Sequence, residues 1–244
     1  MKRSFAGKTD TGLVRSVNQD SYCIDSDGRF FIVADGMGGH AGGQEASRIA
    51  TGAIQSYLVE HWDGPEDSPL LLEKAFLTAN QAILTDQLEH PERADMGTTA
   101  VAVIFRDEGR PWCANIGDSR LYRLRGAHLE QITEDQTWVA QAVKRKALTA
   151  EQARSHPWRH VLSQCLGRDD LGEVDILPVE VKPGDRLLLC SDGLTEELSD
   201  PLIASPLKSI RACEGAATAL IEAAKDKGGR DNITVVIVAI DPLK

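Results

Sequence analysis

No stretch of this 244-residue chain approaches the roughly 18 consecutive apolar residues of a membrane span. The opening segment, MKRSFAGKTDTGLV, lacks the apolar run of a secretory signal. Cys23, Cys113, Cys165, Cys190 and Cys213 form no C-x-x-C pair, and most stand among apolar residues. They are expected to be free, buried thiols in a reducing compartment. Positive charge is also short, with 27 Lys and Arg against 37 Asp and Glu and a net charge of −10. Binding a phosphate backbone needs clustered cations, so a nucleic-acid partner is excluded. No internal repeat or low-complexity linker divides the chain. These absences predict one cytoplasmic domain over residues 1–244, with no membrane contact. Hydrophobic content of 42% and charged content of 26% are ordinary for a globular protein.

Short apolar runs alternate with helical patterns. Residues 19–35 read as a hairpin: DSYCID, a turn at Ser26 to Gly28, then RFFIVAD. Ala46, Ile49, Ala50, Ala53, Ile54, Tyr57 and Leu58 recur at helical spacing and make one apolar face. After the polar loop HWDGPEDSP, a second helix is predicted through LLLEKAFLTANQAILTDQL. GTTAVAVIF, WCANIGD and RLYRLR follow as strands at short intervals, which suggests an antiparallel meander. Residues 136–166 are polar and helical in propensity, carry KRK and HPWRH, and read as an insertion over a rim. EVDILPVEV and DRLLLCSD are further strands, then come two or three helices and a last strand, NITVVIVAI. The order predicts an α+β fold, a mostly antiparallel sheet structure with helices on its outer faces.

Three of the strands end alike. FFIVAD delivers Asp35, WCANIGD delivers Asp118 and LLLCSD delivers Asp192, while Asp231 precedes NITVVIVAI. In antiparallel neighbours the end of one strand meets the start of the next, so the four carboxylates are expected at one rim. Asp20, before a strand in VRSVNQD, is placed to join them. A single Asp before Gly or Ser is a common turn opener; three recurrences after apolar strands favour a site. Clustered carboxylates raise one another's pKa and are tolerated when cations neutralise them. Oxygen ligands with little histidine select Mg²⁺ or Mn²⁺ over Zn²⁺. Two such ions about 3.5–4 Å apart activate water and clamp a phosphoryl oxygen. No nucleophile is paired with a positioned base, so activated water is the expected attacking group. Arg15 has the planar fork that holds a phosphate by two hydrogen bonds. In DGMGGHAGG, Met37 reads as a packing residue, and His40 stands between turn residue and participant.

TDTGLVRSVNQD, VADGMGGH, MGTTA, IGDSR, LLLCSDGLTEEL and GGRDNITVV follow one another in order. Together they resemble the metal-dependent serine/threonine protein phosphatases of type 2C, in their compact bacterial form, from about residue 5 to the C-terminus. HAGGQEASR and HPWRHVLSQCLGR are most similar to the cyanobacterial branch that acts on PII-type signalling proteins. The resemblance implies a central antiparallel β-sandwich flanked by antiparallel helix pairs (α-β-β-α), with a helical flap at about 136–166 that influences substrate choice. It implies two tightly bound Mn²⁺ or Mg²⁺ ions and a weaker third. Asp35 would bridge the pair, the Gly36 carbonyl would bind one ion, Asp192 and Asp231 would complete the other, and Asp20 would act through water. Asp118 and Asp192 match the third position, Arg15 the phosphate-binding arginine. His40 or His156 would protonate the leaving oxygen, His40 being favoured. Phosphorylated proteins, such as a PII-type protein or a kinase, are the implied partners, and a monomer the implied state.

Three residues depart from the family's habits. Gln136 stands where many members have histidine, Lys146 where the flap turn often has glycine, and Met37 where some members keep a histidine acid. If the Lys146 position is left-handed, lysine costs about 1 kcal/mol there. None of the three is an expected metal ligand. Two other readings are a phosphatase-like binding or regulatory module and a nucleotide-binding protein. The first predicts a broken carboxylate set, which this chain does not have. The second needs a G-x-x-x-x-G-K-[ST] loop or a G-x-G-x-x-G run, and neither is present.

Overall fold

The computed structural model describes residues 2–39, 42–106, 110–154 and 156–241. In chain order the elements are β1 (Arg3–Asp10), β2 (Asp20–Ile24), β3 (Phe30–Met37), α1 (Gly42–His61), α2 (Ser68–Glu89), β4 (Gly97–Thr98), β5 (Ala100–Ile104), β6 (Trp112–Ile116), β7 (Arg120–Arg125) and β8 (His128–Gln131). Then come α3 (Trp138–Lys144), α4 (Ala150–Arg154), β9 (Asp175–Pro178), β10 (Arg186–Cys190), α5 (Asp192–Thr195), α6 (Asp200–Ser209), α7 (Cys213–Lys227) and β11 (Ile233–Ile240). The strands form two sheets, one in the order β1-β11-β10-β7-β8 and the other β2-β3-β5-β6-β9, with the short β4 beside β3. Every pairing is antiparallel.

The period of two along the strands builds three cores. Phe30 and Ile32 of β3 face outward and pack with Ala50, Ile54, Leu72 and Phe76 of α1 and α2. Phe31 and Val33, one residue out of step, face inward against Leu187, Leu189, Val236 and Val238 of the opposite sheet. Ile233, Val235 and Ile237 of β11 face outward again, onto Leu220 and Ile221 of α7. Covered on both faces, the central strands read as unbroken apolar runs. The result is the predicted α-β-β-α layering. The helix ends follow local chemistry: Asp67 caps α2 by accepting from the Leu70 amide at 3.0 Å, with Pro69 in the first turn.

Two departures from the predicted order concern β1 and β7. RSFAGKTD is a strand, β1, paired with β11 along all eight of its residues. WCANIGD and RLYRLR do not form a hairpin, because β6 belongs to one sheet and β7 to the other. Gly117 to Ser119 therefore carry the chain between the layers. Residues 136–166 hold two short helices, α3 and α4, and otherwise turns and bends. All five cysteines are free; Cys113, Cys190 and Cys213 are buried. Among the described residues no helix is long and apolar enough to cross a membrane.

Candidate functional site

Register brings the carboxylates together. In the β2–β3 pair Asp20 stands directly opposite Asp35. Antiparallel pairing of β10 with β11 puts Asp192, just past Cys190, at the same end as Asp231, just before β11. Asp118 sits in the crossover between the sheets, so both layers contribute. Hydroxyls lock the parts to one another. The Asp35 amide donates to Thr99 Oγ1 at 3.1 Å, and Thr99 Oγ1 lies 2.7 Å from Ser119 Oγ, next to Asp118. Ser191 Oγ donates to Asp20 Oδ2 at 2.7 Å and accepts from the Thr234 amide at 2.9 Å. Asn232 accepts from the Gln19 amide at 2.8 Å and donates to the carbonyls of Thr11 and Val17, which anchors the loop carrying Arg15.

Gly36 is required by space. Its amide donates to the Gln19 carbonyl at 3.0 Å, and a Cβ there would collide with the carbonyl oxygens of Gly43 and Gln19. The backbone can therefore run flush with Asp35 on the wall of a cleft of about 480 Å³. Arg15, Asp35, Asp118, Asp192 and Asp231 all line this cleft, and Met37 forms part of its wall. Asp20 lies behind it, buried.

The electrostatics call for cations. Removal from water, then repulsion from Asp20, Asp192 and Asp118, holds the Asp35 carboxyl well above its usual range. Asp118 and Asp192 are raised mainly by the same loss of solvent. Burial pushes Asp20 up to about 7 against the hydrogen bonds it accepts. One oxygen of Asp20, Oδ1, is buried without any hydrogen-bond partner. Among the described residues one ion pair reaches the group, Arg15 Nη2 to Asp231 Oδ2 at 2.7 Å. Crowded carboxylates and an orphaned buried oxygen form a hard-oxygen donor set, which fits Mn²⁺ or Mg²⁺. On the side of residues 136–166, His160, Asp192 and Glu196 each bring a ligand atom within 4.8 Å of the others.

Of the two histidines singled out from the sequence, His40 lies outside the described residues. His156 does not line the cleft. Its ring stacks on Trp138, with centroids 5.0 Å apart, and its Nδ1 accepts from the Trp158 amide at 3.1 Å. The histidine at the cleft wall is His160, whose Nδ1 is 2.5 Å from Glu196 Oε1.

The sequence pattern of the protein phosphatase 2C family matches residues 14–224. The chain belongs to the protein phosphatase 2C family. It is 39% identical over 239 residues to the serine/threonine protein phosphatase PstP of Mycobacterium tuberculosis, covering 97% of this chain and 45% of PstP, so it spans about half of that relative's length. It is 35% identical to the serine/threonine phosphatase Stp of Listeria monocytogenes, covering 96% of this chain and 94% of Stp. A solved structure of the PstP catalytic domain with two manganese ions superposes with a TM-score of 0.86 at 36% identity, covering 98% of this chain and 99% of that one.

Within this phosphatase 2C chain Gln136 and Lys146, singled out from the sequence, have definite places. Gln136 Oε1 accepts from the Gly117 amide at 2.8 Å, the Gln136 amide donates back to the Gly117 carbonyl at 3.0 Å, and Nε2 reaches Asp175 at 2.7 Å. The flap root is thereby tied to the turn bearing Asp118. Arg120 adds two bonds to Asp135, at 2.8 and 2.6 Å. Lys146 does adopt a left-handed φ of 59°, the lone non-glycine to do so among the described residues. Sequence reasoning passed over Arg159, His160 and Glu196. Glu196 was within reach, since it follows Asp192 by four residues in DGLTEEL, one helical turn on. For Arg159 and His160 no spacing pointed to the cleft.

Proposed function

We propose that the chain is a metal-dependent protein serine/threonine phosphatase, hydrolysing phosphoserine and phosphothreonine in proteins. The observation that carries this reading is the convergence of Asp35, Asp118, Asp192 and Asp231 with Arg15 in one cleft, beside the orphaned Asp20 oxygen. The two manganese ions in the PstP catalytic domain support it. Asp35 and the Gly36 carbonyl would hold one ion, and Asp35, Asp192 and Asp231 the other, with Asp20 acting through water. Asp118 and Asp192 would hold a weaker third. Bound there, Mn²⁺ or Mg²⁺ offsets the carboxylate charge and makes water nucleophilic at neutral pH. Arg15, about half exposed, leaves Asp231 to grip two phosphate oxygens. His40 is the proposed donor to the leaving oxygen; His156, stacked on Trp138 outside the cleft lining, is not placed for that role.

The same reading takes residues 1–244 as one catalytic domain, acting as a monomer in the cytoplasm, with the flap at 136–166 beside the cleft. Its substrates are phosphorylated proteins; the HAGGQEASR and HPWRHVLSQCLGR segments favour a PII-type signalling protein, and a kinase is the other candidate partner. The test is phosphate release from a phosphothreonine peptide with Mn²⁺. Release should fall to background with chelator, in Asp35→Ala and in Asp192→Ala. Release that survives both chelator and Asp192→Ala would overturn the metal assignment, and none from the wild type would overturn the activity.

A further inference from the structure

The flap carries a second surface that the chemistry above does not use. Along α3 and its C-cap, Trp138, Gln141 and Arg145 are exposed, while Val139 and Ala142 are buried beneath. Trp138 is 39% exposed, Trp158 55% and Val161 47%. These large apolar groups are organised. Trp138 stacks on His156 with an interplanar angle of 29°, and Trp158 meets Trp138 edge-on at 5.0 Å. The Trp138 amide donates to the Val161 carbonyl at 2.8 Å. A platform already held in place loses little side-chain freedom when it binds.

Its charge is opposite to that of the molecule. Residues 136–166 hold Lys144, Arg145, Lys146, Arg154 and Arg159 against a single acidic residue, Glu151, in a chain of net charge −10. Lys144 is paired with Glu134. Arg145 and Lys146 are exposed and make no ion pair among the described residues. The face adjoins the cleft along the chain, because Trp158 is followed by Arg159 and His160, both on the cleft wall.

We propose that this aromatic and basic face docks the acidic segment, bearing a large apolar side chain, that flanks the phosphorylated residue of a substrate protein. The proposal rests on the phosphatase reading. Charge complementarity selects the acidic segment, the indole platform selects an apolar side chain, and continuity with the cleft puts both on the chain that carries the phosphate.

Three phosphothreonine peptides of equal length test it, with flanks of Glu and Leu, of Glu and Ser, and of Lys and Ser. p-Nitrophenyl phosphate, too small to reach the face, reads the chemistry alone. The Glu and Leu peptide should have the highest kcat/KM, about tenfold above the Lys and Ser peptide, a difference that shrinks with added salt. Trp158→Ala should raise KM for the Glu and Leu peptide about tenfold, as loss of an aromatic anchor does, with kcat and p-nitrophenyl phosphate turnover unchanged. Arg145→Glu should remove the preference for Glu over Lys. Turnover of p-nitrophenyl phosphate with equal kcat/KM for the three peptides overturns the docking face and leaves the phosphatase reading standing. The same equality together with Trp158-dependent sedimentation on phosphatidylserine vesicles assigns the face to a membrane and overturns the proposal. No turnover of any phosphoester overturns the phosphatase reading, and the docking face with it.

Discussion

Lys146 shows how far one residue can be read before its surroundings are known. Its φ of 59° puts a side chain where Cβ meets the backbone, the conformation glycine adopts without penalty. Its amide still closes the turn, donating to the Val143 carbonyl at 2.9 Å, so the strain is accepted to keep the α3 terminus. Lys146→Gly should raise stability by about 0.5–1 kcal/mol, the usual cost of a left-handed non-glycine less the entropy that glycine adds to the unfolded chain. Calorimetric unfolding checks this; a lower Tm in the variant would show that the lysine side chain itself holds the turn. The aspartates were legible because each follows or precedes an apolar run, a signal that survives without coordinates. Gly36 was legible as a glycine but for a different reason. The family resemblance gives its carbonyl a ligand's role, whereas the structure shows that the carbonyls of Gly43 and Gln19 leave no room for a side chain. Close approach of two distant backbones has no local signature.

At the scale of elements, the β2–β3 hairpin is the piece whose register the site depends on. Its turn is fixed by Asp25, whose Oδ2 accepts from the Asp27 and Arg29 amides and from Arg29 Nε, while Oδ1 accepts from Arg29 Nη2 at 2.7 Å. Five residues away along β2 and β3, that turn sets Asp20 opposite Asp35. The Arg29 hydrogen bonds hold the Asp25 carboxyl below the usual carboxylate range. A depressed folded pKa contributes stability that is complete above the unfolded value near 3.9 and is lost as pH falls through the folded value. Urea unfolding of the wild type and Asp25→Asn should therefore differ most above about pH 4 and converge below it. A gap independent of pH would assign the effect to lost packing instead. The hairpin itself was plain in DSYCID-SDG-RFFIVAD. β1 was not, because all eight residues of RSFAGKTD are half-buried or exposed, and the segment shows no alternation. The passage through Gly117 to Ser119 was also hidden. A turn sequence announces a change of direction, and says nothing about which sheet receives the next strand.

For the whole molecule, the two-sheet plan makes the carboxylate cluster a seam. Asp20 and Asp35 belong to the sheet covered by α1 and α2, Asp192 and Asp231 border the sheet covered by α7, and Asp118 lies on the crossover. The three cores could be inferred from continuous apolar strands between amphipathic helices, and the family likeness extended that to layer order. The seam's energetics could not be, since repulsion depends on distances that only the register supplies. With cations stripped, Asp35 and its neighbours oppose closure of the two sheets at this rim. With cations bound, the same oxygens join them, and linkage adds about 2.7 kcal/mol at a concentration 100 times the dissociation constant. Asp192→Asn removes one charge from the seam and one proposed ligand from the ions. In chelator at pH 8 its Tm should exceed that of the wild type. Added Mn²⁺ should raise the wild-type Tm by several degrees and move the variant little, reversing their order. If the variant is the less stable in chelator, the cluster is held together by hydrogen bonds strong enough to outweigh its repulsion, and cation binding is not what closes the seam.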